Sequence, residues 1–205
     1  GWHDLPLQER LTAELGLPTL VANDANVAAL AEHSFGDALS DTMVVKIGNG
    51  VGAGLLVGGT LLSGARFSAG EIGHVVVGTD GGEPCACGKR GCLETWLAIP
   101  RLEARIAADP ADRDGILARA GERLGIALAP VVGALDLAEV VLSGPVHLLD
   151  ARNPQDELDS AITTRLPSHV PVLRVYCSEQ AHSSIDKAVI LLGLGQARGH
   201  RAEPG

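Results

Sequence analysis

The sequence predicts an α/β fold, and three observations carry the prediction. Apolar residues recur at helical spacing near both ends of the chain, short apolar runs of strand length fill the segments between, and glycine, proline or serine clusters punctuate them. In order, Asp4 can cap a first helix in which Leu7, Leu11 and Leu15 fall at i, i+4 and i+8; Pro6 suits its first turn, and Gly16 with Pro18 stops it. A short strand over residues 19–22 (TLVA) follows. Asn23 and Asp24 then open a second helix through the small residues of NVAALAEH. From residue 42 the pattern changes to strands: TMVVKI leads into the glycine run GNGVGAG, and LLV turns at Gly58-Gly59 into TLLS as a hairpin. VVV after His74 predicts another strand. Beyond Glu94 the chain reads as helical to about residue 136, with Pro100 and Pro110 as punctuation. AEVVLSG reads as a buried strand, PVHLLDA as a helix start and VPVLRVYC as a last strand. A terminal helix over SSIDKAVILLGLGQAR follows, with Ser184 as its cap and a frayed tail after it.

Composition narrows the function classes. A chain of 205 residues can bury one substantial core, or one large domain with a piece of a second. The aromatics are only Trp2, Phe35, Phe67, Trp96 and Tyr176, too few for base-stacking platforms, and a net charge of −9 without a Lys/Arg cluster opposes phosphate binding along a nucleic acid. No apolar run approaches the roughly 20 residues of a membrane helix, and no signal segment opens the chain, so a cytoplasmic location is expected. Met43 is the only methionine, and the opening GWHDLPL reads as mid-domain sequence; a truncated chain is expected.

His74, Cys85, Cys87 and Cys92 stand in GEIGHVVVGTDGGEPCACGKRGCLETW, and three thiols with one imidazole make a complete tetrahedral zinc set. With no ligand position vacant, such a zinc holds structure and does not activate water. The alternative is a pair of buried thiols beside an unrelated histidine, although Cys-x-Cys-x4-Cys among glycines makes a poor core sequence. Gly88 and Gly91 would let the loop turn its sulfurs toward one point. Glu71 and Glu94 bracket the ligands, so a zinc knot would fix two carboxylates at one rim.

Three segments, VANDANVAALAE, VVKIGNGVGAGLLVGG, and AGEIGH followed by CACGKRGCLE, together resemble the ROK family of sugar kinases and sugar-responsive repressors. The resemblance implies an actin/hexokinase-like (ribonuclease H-like) fold, truncated at the N-terminus. Residues 1–40 would be the remainder of a first lobe, and 41–205 a second lobe whose terminal helix returns toward the first. It also puts Asn23, Asp24, Glu71, His74 and Glu94 around a sugar or amino sugar, with His74 ligating zinc through one nitrogen and facing the sugar with the other. Asp24 would be the general base in a kinase of the family; its plainer role is helix capping. Glu94 could equally be a helix-start carboxylate favoured by the dipole.

A kinase would also hold Mg-ATP. Kinase members read Gly-Thr-Gly-Ile-Gly-Gly-Gly in the second phosphate loop, where this chain has Gly48-Asn49-Gly50-Val51-Gly52-Ala53-Gly54. Asn49 replaces the hydroxyl residue, Ala53 adds a methyl where the backbone would approach a ligand, and Ser143-Gly144-Pro145 stands where kinase members have three glycines. These departures favour the family's regulators: a sugar-effector-binding part, expected to dimerise and to reach DNA through an N-terminal helix-turn-helix absent from this sequence. The alternatives are an ATP-dependent hexose or N-acetylhexosamine kinase with Gly48, Asn49, Gly50 and Gly52 on the nucleotide, and a purely structural zinc module.

Overall fold

The computed structural model describes residues 5–78, 80–145 and 148, and the backbone of residues 172–178. Among the described residues its centre is a five-stranded sheet in the order β3-β2-β1-β4-β5. The strands are β1 (Thr42–Ile47), β2 (Val51–Val57), β3 (Thr60–Leu61), β4 (Glu139–Pro145) and β5 (Val172–Ser178). β2 and β3 form the expected hairpin and β1 pairs antiparallel with β2, whereas β4 lies parallel to β1 and β5 parallel to β4. A parallel pairing needs a crossover, and the helical stretch between β1 and β4 supplies it.

The alternation in β1 decides the layers. Met43, Val45 and Ile47 point into the main core with Val140 and Leu142 of β4, against Leu117, Leu124 and Leu128 of helix α5 (Arg113–Leu135). Val44 points the other way, into a smaller cluster with Leu56, Val141 and the Ala28 and Ala29 methyls of helix α2 (Asp24–Phe35). The sheet is thus sandwiched between α2 and the group α3 (Leu93–Leu97), α4 (Ile99–Ala108) and α5.

Small residues let α2 sit directly on β2. A Cβ built at Gly54 would press into the Ala25 carbonyl oxygen and lie 2.6 Å from the Ala29 Cβ. Backbone cannot yield there as a flexible side chain would. Gly54→Ala is therefore expected to destabilise the protein by about 1–3 kcal/mol, the usual cost of overpacking, read as a lower midpoint in denaturant titration. An unchanged midpoint would mean that α2 does not pack this closely.

Several elements differ from their sequence expectation. Residues 19–22 are not a strand; Thr19 is held by Thr12 Oγ1 and Val21 by Gln8 Oε1, so this segment bonds back to helix α1 (Leu7–Leu15). No residue of α1 is buried, and Leu15, Leu17 and Leu20 are exposed, so its apolar spacing meets no core among the described residues. Residues 75–77 are not a strand either: after a 3-10 turn at Ile72–His74 only one bridge forms, Val76 with Cys92. The stretch after Glu94 breaks at Ala98, and Pro100 begins α4 without interrupting it. Ser143-Gly144-Pro145 continues β4 to its end, with Pro145 opposite Ser178 on β5. Asp4, the helix expected after Pro145 and the terminal helix with Ser184 lie outside the described residues.

Candidate functional site

Asn23 stands outside the first turn of α2 with extended backbone, and its Oδ1 accepts from the amides of Ala25 and Asn26 at 2.9 and 3.3 Å. The cap is therefore Asn23, and it leaves the Asp24 carboxylate free of that duty. Asp24 Oδ2 instead lies 2.6 Å from Lys46 Nζ at the end of β1.

The glycine run divides into two parts with different causes. Gly48-Asn49-Gly50 is a turn, closed by the Gly48 amide donating to the Gly50 carbonyl. Gly52-Ala53-Gly54 is already strand β2. The Ala53 side chain packs in the main core, although the residue also borders the neighbouring cavity, and Gly54 answers to the packing of α2. Gly70 also has a structural cause: at φ 87° its carbonyl takes the Ala53 amide, and a Cβ there would collide with the Ala53 carbonyl. That contact carries Glu71 to the β2 edge.

Glu94, in the first turn of α3, joins two regions. Its Oε2 accepts from the Val51 amide at 3.3 Å, while Oε1 lies 3.9 Å from Cys85 Sγ. A side chain at Gly50 would come within 2.8 Å of the same Oε2, so glycine is needed for the carboxylate to reach the turn.

These elements enclose a cavity of about 320 Å³. Asn23, Asp24, Glu71 and Glu94 line it, together with Lys46, the turn residues Gly48, Asn49 and Gly50, and Gly52 of β2. His74, the fifth residue expected at the sugar, is not among the lining residues. Lys46 was not expected from sequence, although a lone charge in an apolar strand was a signal available there. A smaller space of about 180 Å³ adjoins on the far side of Asn49 and Glu94, against Ala98, Pro100 and Arg101.

The second constellation is the cysteine loop. Gly88 at φ 89° and Gly91 at φ 71° make the turns expected of them. Cys87 Sγ lies 3.6 Å from Cys92 Sγ, and Cys85 Sγ 3.6 Å from His74 Nδ1. The four donor atoms all fall within 4.8 Å of one another. A tetrahedron with arms of about 2.0–2.3 Å has edges of roughly 3.3–3.8 Å, so these four residues could hold a metal ion. Burial pushes the Cys92 thiol up to about 12. Cys87, which is exposed, is lowered, chiefly by the Lys89 backbone amide.

The loop is anchored to the helices independently of any metal. Arg105 of α4 and Arg123 of α5 flank the Trp96 ring at 5.0 and 4.5 Å. Arg105 reaches Glu83 and Arg123 reaches Asp80, both carboxylates of the loop.

Comparison with known proteins gives these features a context. The family model described as "ROK family" matches residues 1–191. A glucokinase of Halalkalibacterium halodurans is 46% identical over 53% of this chain and 33% of its own length. A putative xylose repressor of Caldicellulosiruptor sp. is 38% identical over 47% of this chain and 25% of its own length. The chain thus matches about a third of the one and a quarter of the other. Among solved structures, a ROK family glucokinase from Streptomyces griseus, crystallised with glucose and AMPPNP, superposes with a TM-score of 0.75 at 23% identity, covering 95% of this chain and 74% of that one. That likeness shows the fold, the actin/hexokinase-like α/β class expected from the motifs.

Proposed function

The chain belongs to the ROK family, and from that premise we propose that it is the sugar-effector-binding part of a transcriptional regulator. One observation carries the reading: Asn23, Asp24, Glu71 and Glu94 come from three separated segments and line one cavity. The carboxylates accept from sugar hydroxyls and the Asn23 amide can donate to them, and a site that pairs each hydroxyl rejects analogues lacking one. His74, Cys85, Cys87 and Cys92 would hold a structural zinc, whose chemistry there is to cross-link the loop that carries Glu94's neighbour Cys85.

Three contacts favour the regulator over the kinase. The Val51 amide, next to the glycine turn, is taken by the Glu94 carboxylate, and a second anion there would be repelled. The Gly48 carbonyl accepts from the Ile99 amide, and Pro100 has no N–H, so the start of α4 offers little to an anion. Asp24 is paired with Lys46. The kinase reading, with Asp24 as base and Mg-ATP on Gly48, Asn49, Gly50 and Gly52, is favoured by the 46% identity to a glucokinase.

In the regulator, sugar shifts an equilibrium between two conformations by binding one more tightly, and DNA is contacted through an N-terminal helix-turn-helix. Residues 1–40 and 41–205 would belong to different lobes; if so, their seam includes the tight contact of α2 on Gly54. The full-length protein is expected to be a two-fold dimer matching a palindromic operator, and sedimentation showing only monomer at micromolar concentration would count against that.

Calorimetry on the full-length protein tests the cavity. Asp24→Asn and Glu94→Gln are each expected to weaken the best sugar by roughly ten- to a hundredfold, the effect of losing a charged hydrogen-bond partner. Wild-type affinity in both variants would mean that sugar binds elsewhere.

A further inference from the structure

We propose that Lys46 is a ligand-reading residue: with Asp24 it forms a donor–acceptor pair that holds one sugar hydroxyl from both sides and selects for a free hydroxyl at that position. This rests on the sugar-binding reading of the same cavity.

The pleat of β1 determines where Lys46 goes. Val44, two residues earlier, is fully buried against α2, so Lys46 shares that face and lies one step nearer the cavity. Its partner on β2 is Gly52, which has no side chain to fill the space above the strand. The ammonium therefore emerges beside the first turn of α2, 2.6 Å from Asp24 Oδ2.

An exposed ion pair of this kind ordinarily does little. Two observations separate Lys46 from that case. Its side chain is only 26% exposed, against 65% for Asp24, so the cation is the more enclosed partner. It is also the single cation among the described residues lining a cavity that holds Asp24, Glu71 and Glu94.

Lysine has three donors and no acceptor, and a carboxylate has only acceptors. One Lys46 donor reaches Asp24, leaving others for a ligand; Asp24 keeps a second oxygen. A hydroxyl satisfies both, accepting from Lys46 while donating to Asp24. A fluorine or methyl ether can only accept, and a hydrogen can do neither.

The test is calorimetry on the full-length protein. Glucose, mannose, N-acetylglucosamine and xylose are screened first, and the tightest binder is then compared with its monodeoxy derivatives, in wild type and Lys46→Met. The variant should bind the parent sugar roughly ten- to a hundredfold more weakly. For one monodeoxy derivative it should cost nothing, because the hydroxyl that Lys46 meets is already missing. Lys46→Arg, which moves the cation while keeping its charge, is read the same way if Lys46→Met does not fold.

Unchanged affinity for the parent sugar overturns the proposal and leaves the cavity reading intact. An equal loss for every derivative also overturns it, since that is the signature of general distortion. If none of the sugars binds wild type, the cavity reading falls and the proposal with it.

Discussion

Full-length protein purified without chelator is expected to carry one zinc per chain, and Cys92→Ser to lose it together with most of the sugar affinity. Two pairs of ligand donors already stand 3.6 Å apart, the edge length of a zinc tetrahedron, so little reorganisation is needed. Structural zinc binds with apparent free energies of about 10–16 kcal/mol in small peptides near neutral pH, far more than any other single contact near this loop supplies. The fold should survive its loss, because Arg105 and Arg123 tie the loop to α4 and α5 through Glu83 and Asp80. What should suffer is the register of Glu94, which stands between Cys85 Sγ and the Val51 amide.

The pH dependence has a defined sign. Burial keeps Cys92 protonated, at about 12, until a cation displaces its proton. Zinc binding should therefore release protons, and affinity should rise with pH and fall on acidification. Cys87, lowered chiefly by the Lys89 backbone amide, gives up its proton more readily than Cys92. Elemental analysis finding no zinc, or Cys92→Ser binding sugar as wild type does, would sink this prediction.

The second large expectation is an absence of turnover. ADP release by the full-length protein with Mg-ATP should stay at background across glucose, N-acetylglucosamine, N-acetylmannosamine, mannose, fructose and xylose. A positioned base supplies about 10²–10⁴-fold, whereas phosphoryl transfer depends mainly on clamping phosphates and metal. Here Asp24 is present at the cavity, but Val51, which follows the glycine turn, gives its amide to Glu94. Sugar-dependent ADP release that disappears in Asp24→Ala would overturn the regulator assignment and install the kinase.

Local chemistry made much of this molecule legible. The alternation of Met43, Val45 and Ile47 with Val44 specifies a strand buried on both faces, because a strand's side-chain period is two. Asn23 caps α2 because an amide oxygen one residue before a helix meets its first free N–H groups. The spacing of Cys85, Cys87 and Cys92, with glycine at the left-handed positions 88 and 91, determines a loop that turns its sulfurs inward. Each of these rests on neighbours within a few residues.

What only the tertiary structure decided is which partner each group meets across the chain. Residues 75–77 have strand composition yet form a single bridge, because Cys92, the residue opposite Val76, enters a helix at Leu93 and offers no ladder. Ala53 looks like a ligand-side methyl until β2 turns it into the core. Lys46 and Asp24 are separated by a helix and a loop, and only the packing of α2 over Gly54 brings them to 2.6 Å. Spacing along the chain determines local geometry, but a pocket is made by long-range packing, and the sign and shape of its wall follow from which faces the core leaves over.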